Sequence, residues 1–149
     1  MIKINKDISF LSQKAETANA SDLDIALKLK EALIENKAGC VGMAANMIGY
    51  NKAIIVFEDK DDYVLMLNPK IIEHSKEYYK VKEGCLSLEG VRDTIRYKKI
   101  KVSYENLEMK MKIKTYTGFT AQIIQHEIDH LNGILFSDKV TKWLKLKDK

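Results

Sequence analysis

Apolar residues first recur at helical spacing between residues 21 and 36, where Leu23, Ala26, Leu27, Leu33 and Ile34 fall on one face of a wound chain. Ser21 followed by Asp24 supplies a capped start, so the spacing predicts an amphipathic helix over 21–36. From residue 53 the period changes. "AIIVF" (53–57) and "YVLMLNP" (63–69) are short apolar runs of strand character, separated by the acidic turn "EDKDD". Further on, "MKMKIKTYT" (109–117) alternates apolar residues with lysine, the period of a half-buried strand. It follows "KIKVSY" (99–104), and the two runs predict an antiparallel hairpin turning across Glu105–Asn106. Helical spacing returns from Phe119 to Asn132, with Gly133 as the stop. Strands in the middle and helices at both ends make an α+β fold.

The 149 residues contain no internal repeat, low-complexity tract or linker, so one domain spanning 1–149 is expected, with a short basic C-terminal tail. A chain of this size buries roughly 68–70% of its unfolded surface and needs no disulfide staple. No apolar run approaches the ~18 residues of a membrane span, which argues against a membrane protein. "MIKINKDISF" lacks a signal-peptide core, and that favours the cytoplasm. There Cys40 and Cys85 are thiols or ligands rather than a disulfide. The net charge of +4 gathers partly in the tail "KVTKWLKLKDK". That tail offers a weak docking surface for the ribosome, although a solvated terminus is the plainer reading. Without an arginine cluster or interleaved aromatics, specific nucleic-acid binding is not expected.

The chemistry gathers on the second helix. "QHEIDH" (125–130) holds His126, Glu127 and His130 in the pattern HExxH. Histidines at i and i+4 project from one helical face and can share one metal ion, while the adjacent glutamate can handle the proton of an activated water. Two partly exposed, satisfied histidines are the plain alternative. A catalytic metal usually has three protein ligands and an open position. His74, Cys40 and Cys85 are the remaining candidates. His74 sits in the charged stretch "IIEHSKE" and reads as a solvated strand end. Cys85 lies in "EGCLSLEG" between Gly84 and Gly90, whose backbone freedom lets the chain turn.

"EGCLS" and "QHEIDH" together resemble the peptide deformylases, metal hydrolases that remove formyl groups from new protein N-termini. The family's first motif is a glycine-rich strand ending in glutamine, and "CVGMAANM" (40–47) stands at its place and spacing. The resemblance runs from about residue 20 to 140. It implies antiparallel sheets packed around a central helix that carries HExxH. Cys85, His126 and His130 would be the metal ligands, Glu127 the general acid/base, and the Leu86 N–H a donor to the developing oxyanion. Val41, Gly42, Gln122 and Ile123 would line the substrate cleft, with the Gly42 strand pairing to a formylated peptide N-terminus. The family commonly uses ferrous iron and tolerates zinc, nickel or cobalt. Gln125 and Asp129 flank the ligands as candidates to orient them, or as ordinary helix residues.

The sequence also departs from that family. Met47 stands where the motif ends in glutamine, whose amide donates to the formyl oxygen; a thioether donates nothing. Cys40 replaces the motif's first glycine, Glu89 a common proline, and Gln122 an apolar residue that often lines the methionine pocket. Loss of one oxyanion donor typically costs about 10²–10³ in turnover, so a weakened deformylase is expected rather than an inert protein. Gln122 offers a substitute amide. The other readings are a non-catalytic, metal-binding relative that holds peptide ends or another partner, and an ordinary HExxH peptidase.

Overall fold

The computed structural model describes residues 2–134, apart from the side chains of 88–90 and 92. Two helices precede the first strand: α1 (Ile8–Leu11) and α2 (Leu23–Glu35). Seven strands follow, β1 (Gly42–Ala44), β2 (Ile54–Asp59), β3 (Asp62–His74), β4 (Tyr78–Cys85), β5 (Leu88–Tyr97), β6 (Lys99–Glu105) and β7 (Met111–Thr117), and then α3 (Gly118–Leu131). Five strands form an antiparallel sheet in the order β1-β2-β3-β6-β7, while β4 and β5 pair as a separate hairpin. The expected α+β architecture is the one observed, with α3 packed among the sheets. No helix among the described residues is long and apolar enough to cross a membrane. The basic tail (139–149) lies outside the described residues.

Local chemistry explains most boundaries. The helix expected at 21–36 forms as α2, but Ser21 is not its cap. Asn19 caps a short 3-10 turn instead: its side chain accepts from Ser21 N, and Asp22 returns a bond from Asn19 N at 2.9 Å. β2 and β3 join as a hairpin around Lys60, at φ 54°. Ile54, Ile55, Val56 and Phe57 are all buried; since successive side chains face opposite ways, both faces of β2 are covered, and α2 and α3 pack there. α3 stops as expected at Gly133. With φ 69°, Gly133 donates to the His130 carbonyl at 3.1 Å, and Ile134 donates to Asp129 at 2.9 Å.

The second hairpin differs from its expectation in two ways. β6 and β7 do pair, but their connection runs from Asn106 to Lys110, with the Asn106 side chain accepting from Glu108 N and Lys110 N. The apolar face of β7 is also not the buried one. Met111 and Ile113 are 65% and 57% exposed, whereas Tyr116, on the lysine face, is buried edge-on against Phe57. Which face of β7 is covered depends on what packs against the sheet, so alternation alone could not foretell it.

Candidate functional site

β4 and α3 run side by side and are linked three times. Tyr79 OH donates to Gln122 Oε1 at 3.0 Å, His126 Nδ1 meets Glu83 Oε1 at 2.7 Å, and Cys85 Sγ lies 3.3 Å from His130 Nε2. Tyr79, Glu83 and Cys85 share the inward face of β4 because strand side chains alternate. Gln122, His126 and His130 share one face of α3 because they are four residues apart. A register shift between Gly84 and Cys85, where β5 carries two extra residues, precedes the last pair of the ladder, Cys85 with Leu88.

Cys85, His126 and His130 each offer a ligand atom, and these atoms lie within 4.8 Å of one another. Two atoms bound to one tetrahedral ion at about 2.3 Å (sulfur) and 2.1 Å (nitrogen) would be about 3.6 Å apart, close to the Cys85–His130 separation. Because His126 turns Nδ1 to Glu83, its Nε2 is left to face the centre. The three residues therefore fit a divalent transition metal, as the sequence proposed. His74 does not join them: it is exposed, bonded to Ser75 O and stacked on Tyr97 at 3.8 Å.

Electrostatics around the cluster come from a buried network that sequence reading did not assign. Arg96, 1% exposed, donates from Nε and Nη2 to Glu83 at 2.9 and 2.7 Å, and from Nη1 to Asp129 at 2.7 Å. Burial alone would raise the Glu83 carboxyl, but bonds from His126 and Arg96 hold it at about 2. Burial works against charge on His126 as well. Cys85, Glu83 and Glu127 outweigh it and carry the ring up to about 10, while burial and the charge on His126 push His130 down to about 3. A metal held by His126 needs the neutral ring, so its binding would compete with protonation there. Burial pushes Glu127 up to about 7, within reach of giving and taking a proton near neutrality. Its Oε1 is buried without a partner among the described residues. Asp129 thus engages Arg96, and Gln125 bonds the Tyr97 backbone on both its N–H and C=O, pinning α3 to β5.

A cavity of about 420 Å³ opens over the cluster, lined by Val41, Gly42, Met47, Leu86, Gln122, Ile123 and Glu127 among others. All the expected cleft residues meet there. Leu86 follows Cys85 in the turn between β4 and β5. β1 is an edge strand, and Val41 gives its carbonyl to Glu58 N, so alternation turns the backbone groups of Gly42 and Ala44 to the free edge. The two motif departures meet them. The Cys40 thiol donates to Gly42 O at 2.9 Å, and Met47 Sδ accepts from Ala44 N at 3.4 Å. Burial raises the Cys40 thiol to about 12, which suits a hydrogen-bond donor better than a ligand. Gly42 itself is dictated by contact, since a Cβ there would lie 2.6 Å from Ile123 Cγ2 and 3.0 Å from Glu127 Oε2.

Residues 2–145 match the family described as polypeptide deformylase. The chain is 48% identical over 136 residues to the peptide deformylase of Clostridium beijerinckii, covering 91% of this chain and 99% of that one. It is 35% identical to that of Brachyspira hyodysenteriae, covering 91% and 76%. Among solved structures, a probable peptide deformylase from Synechococcus phage S-SSM7 superposes with a TM-score of 0.84 at 34% identity, over 93% of this chain and 99% of the phage chain. An actinonin-bound class I type b peptide deformylase from Acinetobacter baumannii gives 0.83 at 32% identity, over 93% and 97%.

Proposed function

Since this chain belongs to the peptide deformylase family and is a metal-dependent hydrolase of that type, we propose that it removes the formyl group from formyl-methionyl peptides through Cys85, His126, His130 and Glu127. The observation that carries the assignment of roles is the convergence of Cys85, His126 and Glu127 on one cavity beside an edge strand, with the His130 ligand atom within 4.8 Å of those of Cys85 and His126. Cys85, His126 and His130 hold the ion. One thiolate and two imidazoles suit ferrous iron, our first choice, and also zinc, nickel or cobalt. When bound, such an ion supplies a Lewis acid and a nucleophilic water at neutral pH. Glu127 takes the proton of the attacking water and delivers it to the departing amine, releasing formate and a free amino terminus. The Leu86 N–H donates to the developing oxyanion. The peptide adds to the free edge of β1, displacing the Cys40 thiol from Gly42 O, and its first side chain enters the space between Val41, Ile123 and Gln122. A thiolate ligand beside a second free thiol suits the reducing cytoplasm.

The test is formate release from a formyl-methionyl peptide by anaerobically prepared ferrous protein, beside Glu127→Gln. Retained metal with a rate reduced by about 10²–10⁴ is the expected result. Equal rates in the two proteins would remove Glu127 from the reaction. A metal-loaded protein that releases no formate would favour the non-catalytic reading.

A further inference from the structure

We infer that the Gln122 amide, held by Tyr79, makes the side-chain pocket select for a hydrogen-bond acceptor at the position of the methionine sulfur, so that formyl-methionine-sulfoxide peptides are substrates. The inference rests on the proposed function, because it concerns where the first side chain goes.

Gln122 is half-buried on the cavity-facing side of α3, one turn before His126. Tyr79 OH has one proton and gives it to Gln122 Oε1 at 3.0 Å. That bond fixes which end of the amide is which. The carbonyl faces the strand, and the two N–H donors of Nε2 are left without a protein partner among the described residues. Tyr79 also fixes where the amide sits. It lies six residues from Cys85 along β4, about 20 Å of strand, and draws the carboxamide away from the reacting end. A substitute for the missing Met47 amide would have to point the other way, toward Cys85 and Leu86. Gln122 is therefore a wall of the side-chain pocket rather than an oxyanion donor.

The rest of that wall leaves the donors without competition. Val41, Phe119 and Ile123 are apolar, Lys82 brings only donors, Glu83 is already engaged by Arg96 and His126, and Glu127, five residues further along α3, is placed for the reacting end. A norleucine side chain offers the amide nothing, the methionine sulfur is a weak acceptor, and a sulfoxide oxygen is a strong one. In a purely apolar pocket the order would reverse, because an unbonded sulfoxide would lose its hydration without replacement.

The experiment compares kcat/KM for formate release from three tripeptides that differ only at the first residue: formyl-norleucyl, formyl-methionyl and formyl-methionine-sulfoxide. In the metal-loaded wild-type protein the sulfoxide is expected to match or exceed norleucine, and a sulfoxide value below norleucine would overturn the inference. In Gln122→Leu the sulfoxide-to-norleucine ratio should fall by about 3- to 10-fold, the worth of one neutral hydrogen bond. Tyr79→Phe, which frees the amide to turn, should lower the same ratio by a smaller factor. A general loss of folding or metal would scale all three rates together and leave the ratio alone, so an unchanged ratio in both variants would overturn the inference while the deformylase reading stands. Failure of the loaded wild-type protein to cleave any of the three would overturn both.

Discussion

Met47 and Gly42 show how much single positions decide here. Met47 Sδ already accepts the Ala44 N–H. A glutamine there would use Oε1 for that bond and turn its amide N–H groups to the cavity. Met47→Gln is accordingly expected to raise formate release by about 10² or more, the usual worth of an oxyanion donor. Assayed at equal metal content, no gain would mean that the thioether costs this enzyme nothing. Gly42 has the opposite logic. A Cβ there would meet Ile123 and crowd Glu127, so Gly42→Ala must push the Ile123 side chain aside and press on the carboxylate that handles the proton. A lower rate is expected from the crowded carboxylate, and overpacking adds about 1–3 kcal/mol of destabilisation. Steady-state kinetics and urea unfolding on the same preparation separate the two effects.

Between β4, β5 and α3 the stabilising unit is the set Glu83, Arg96, Asp129 and His126 rather than any one bond. Arg96 bridges two buried carboxylates, so Arg96→Met removes the cation they share and leaves Glu83 with its bond to His126. The expected cost is about 3–5 kcal/mol, read from urea midpoints at pH 7. The same set predicts acid behaviour. Glu83 holds its proton less tightly in the native state, at about 2, than an unfolded carboxylate does. Between about pH 4.3 and 2 the unfolded chain therefore binds more protons, and stability falls as pH falls. His130, neutral down to about 3, adds a loss of the same sign beginning below its ordinary range. Glu127, raised to about 7 by burial, works the other way between about pH 7 and 4.5, so thermal scans of the metal-free protein should fall most steeply below about pH 4.5. Arg96→Met should flatten the part below about pH 4.5 most, because it removes the bonds that hold Glu83 down, and should weaken the His130 part as well, since the Arg96 charge helps push that ring down.

For the molecule as a whole, the metal cluster ties the β4–β5 hairpin to α3, which itself packs on the five-stranded sheet. An ion that binds only the native arrangement stabilises all of it by mass action, by about 2.7 kcal/mol at a hundredfold excess over Kd. For a chain of this size that corresponds to a Tm shift of roughly 5–10 °C. Chelation should lower the Tm by that amount, and re-addition of zinc should restore it. An unchanged Tm after verified metal removal would count against a preformed centre. The same fold leaves Met111 and Ile113 exposed on β7, a consequence of what packs on the sheet and not of local pattern.

What short-range physics governs could be read from residues alone. Helical spacing with a glycine stop placed α2 and α3, and HExxH placed His126, Glu127 and His130 on one face, because the helical repeat is a local property. The resemblance marked the Gly42 strand for pairing with a peptide, and the group that a Cβ at Gly42 would meet first is on α3. Tertiary structure decided the rest. Residues alone left His74, Cys40 and Cys85 open as the third ligand, and the resemblance singled out Cys85; its place on the inward face of β4, opposite α3, brings it to His130. The β4–β5 hairpin carries few apolar residues and escaped periodicity, since its inward face is filled by Tyr79, Glu83 and Arg96 rather than by hydrophobes. A charged residue on a polar strand reads as surface until its partners are known. Arg96 is buried only because Glu83, on the neighbouring strand, and Asp129, on α3, meet it in space. No spacing along the chain encodes that meeting.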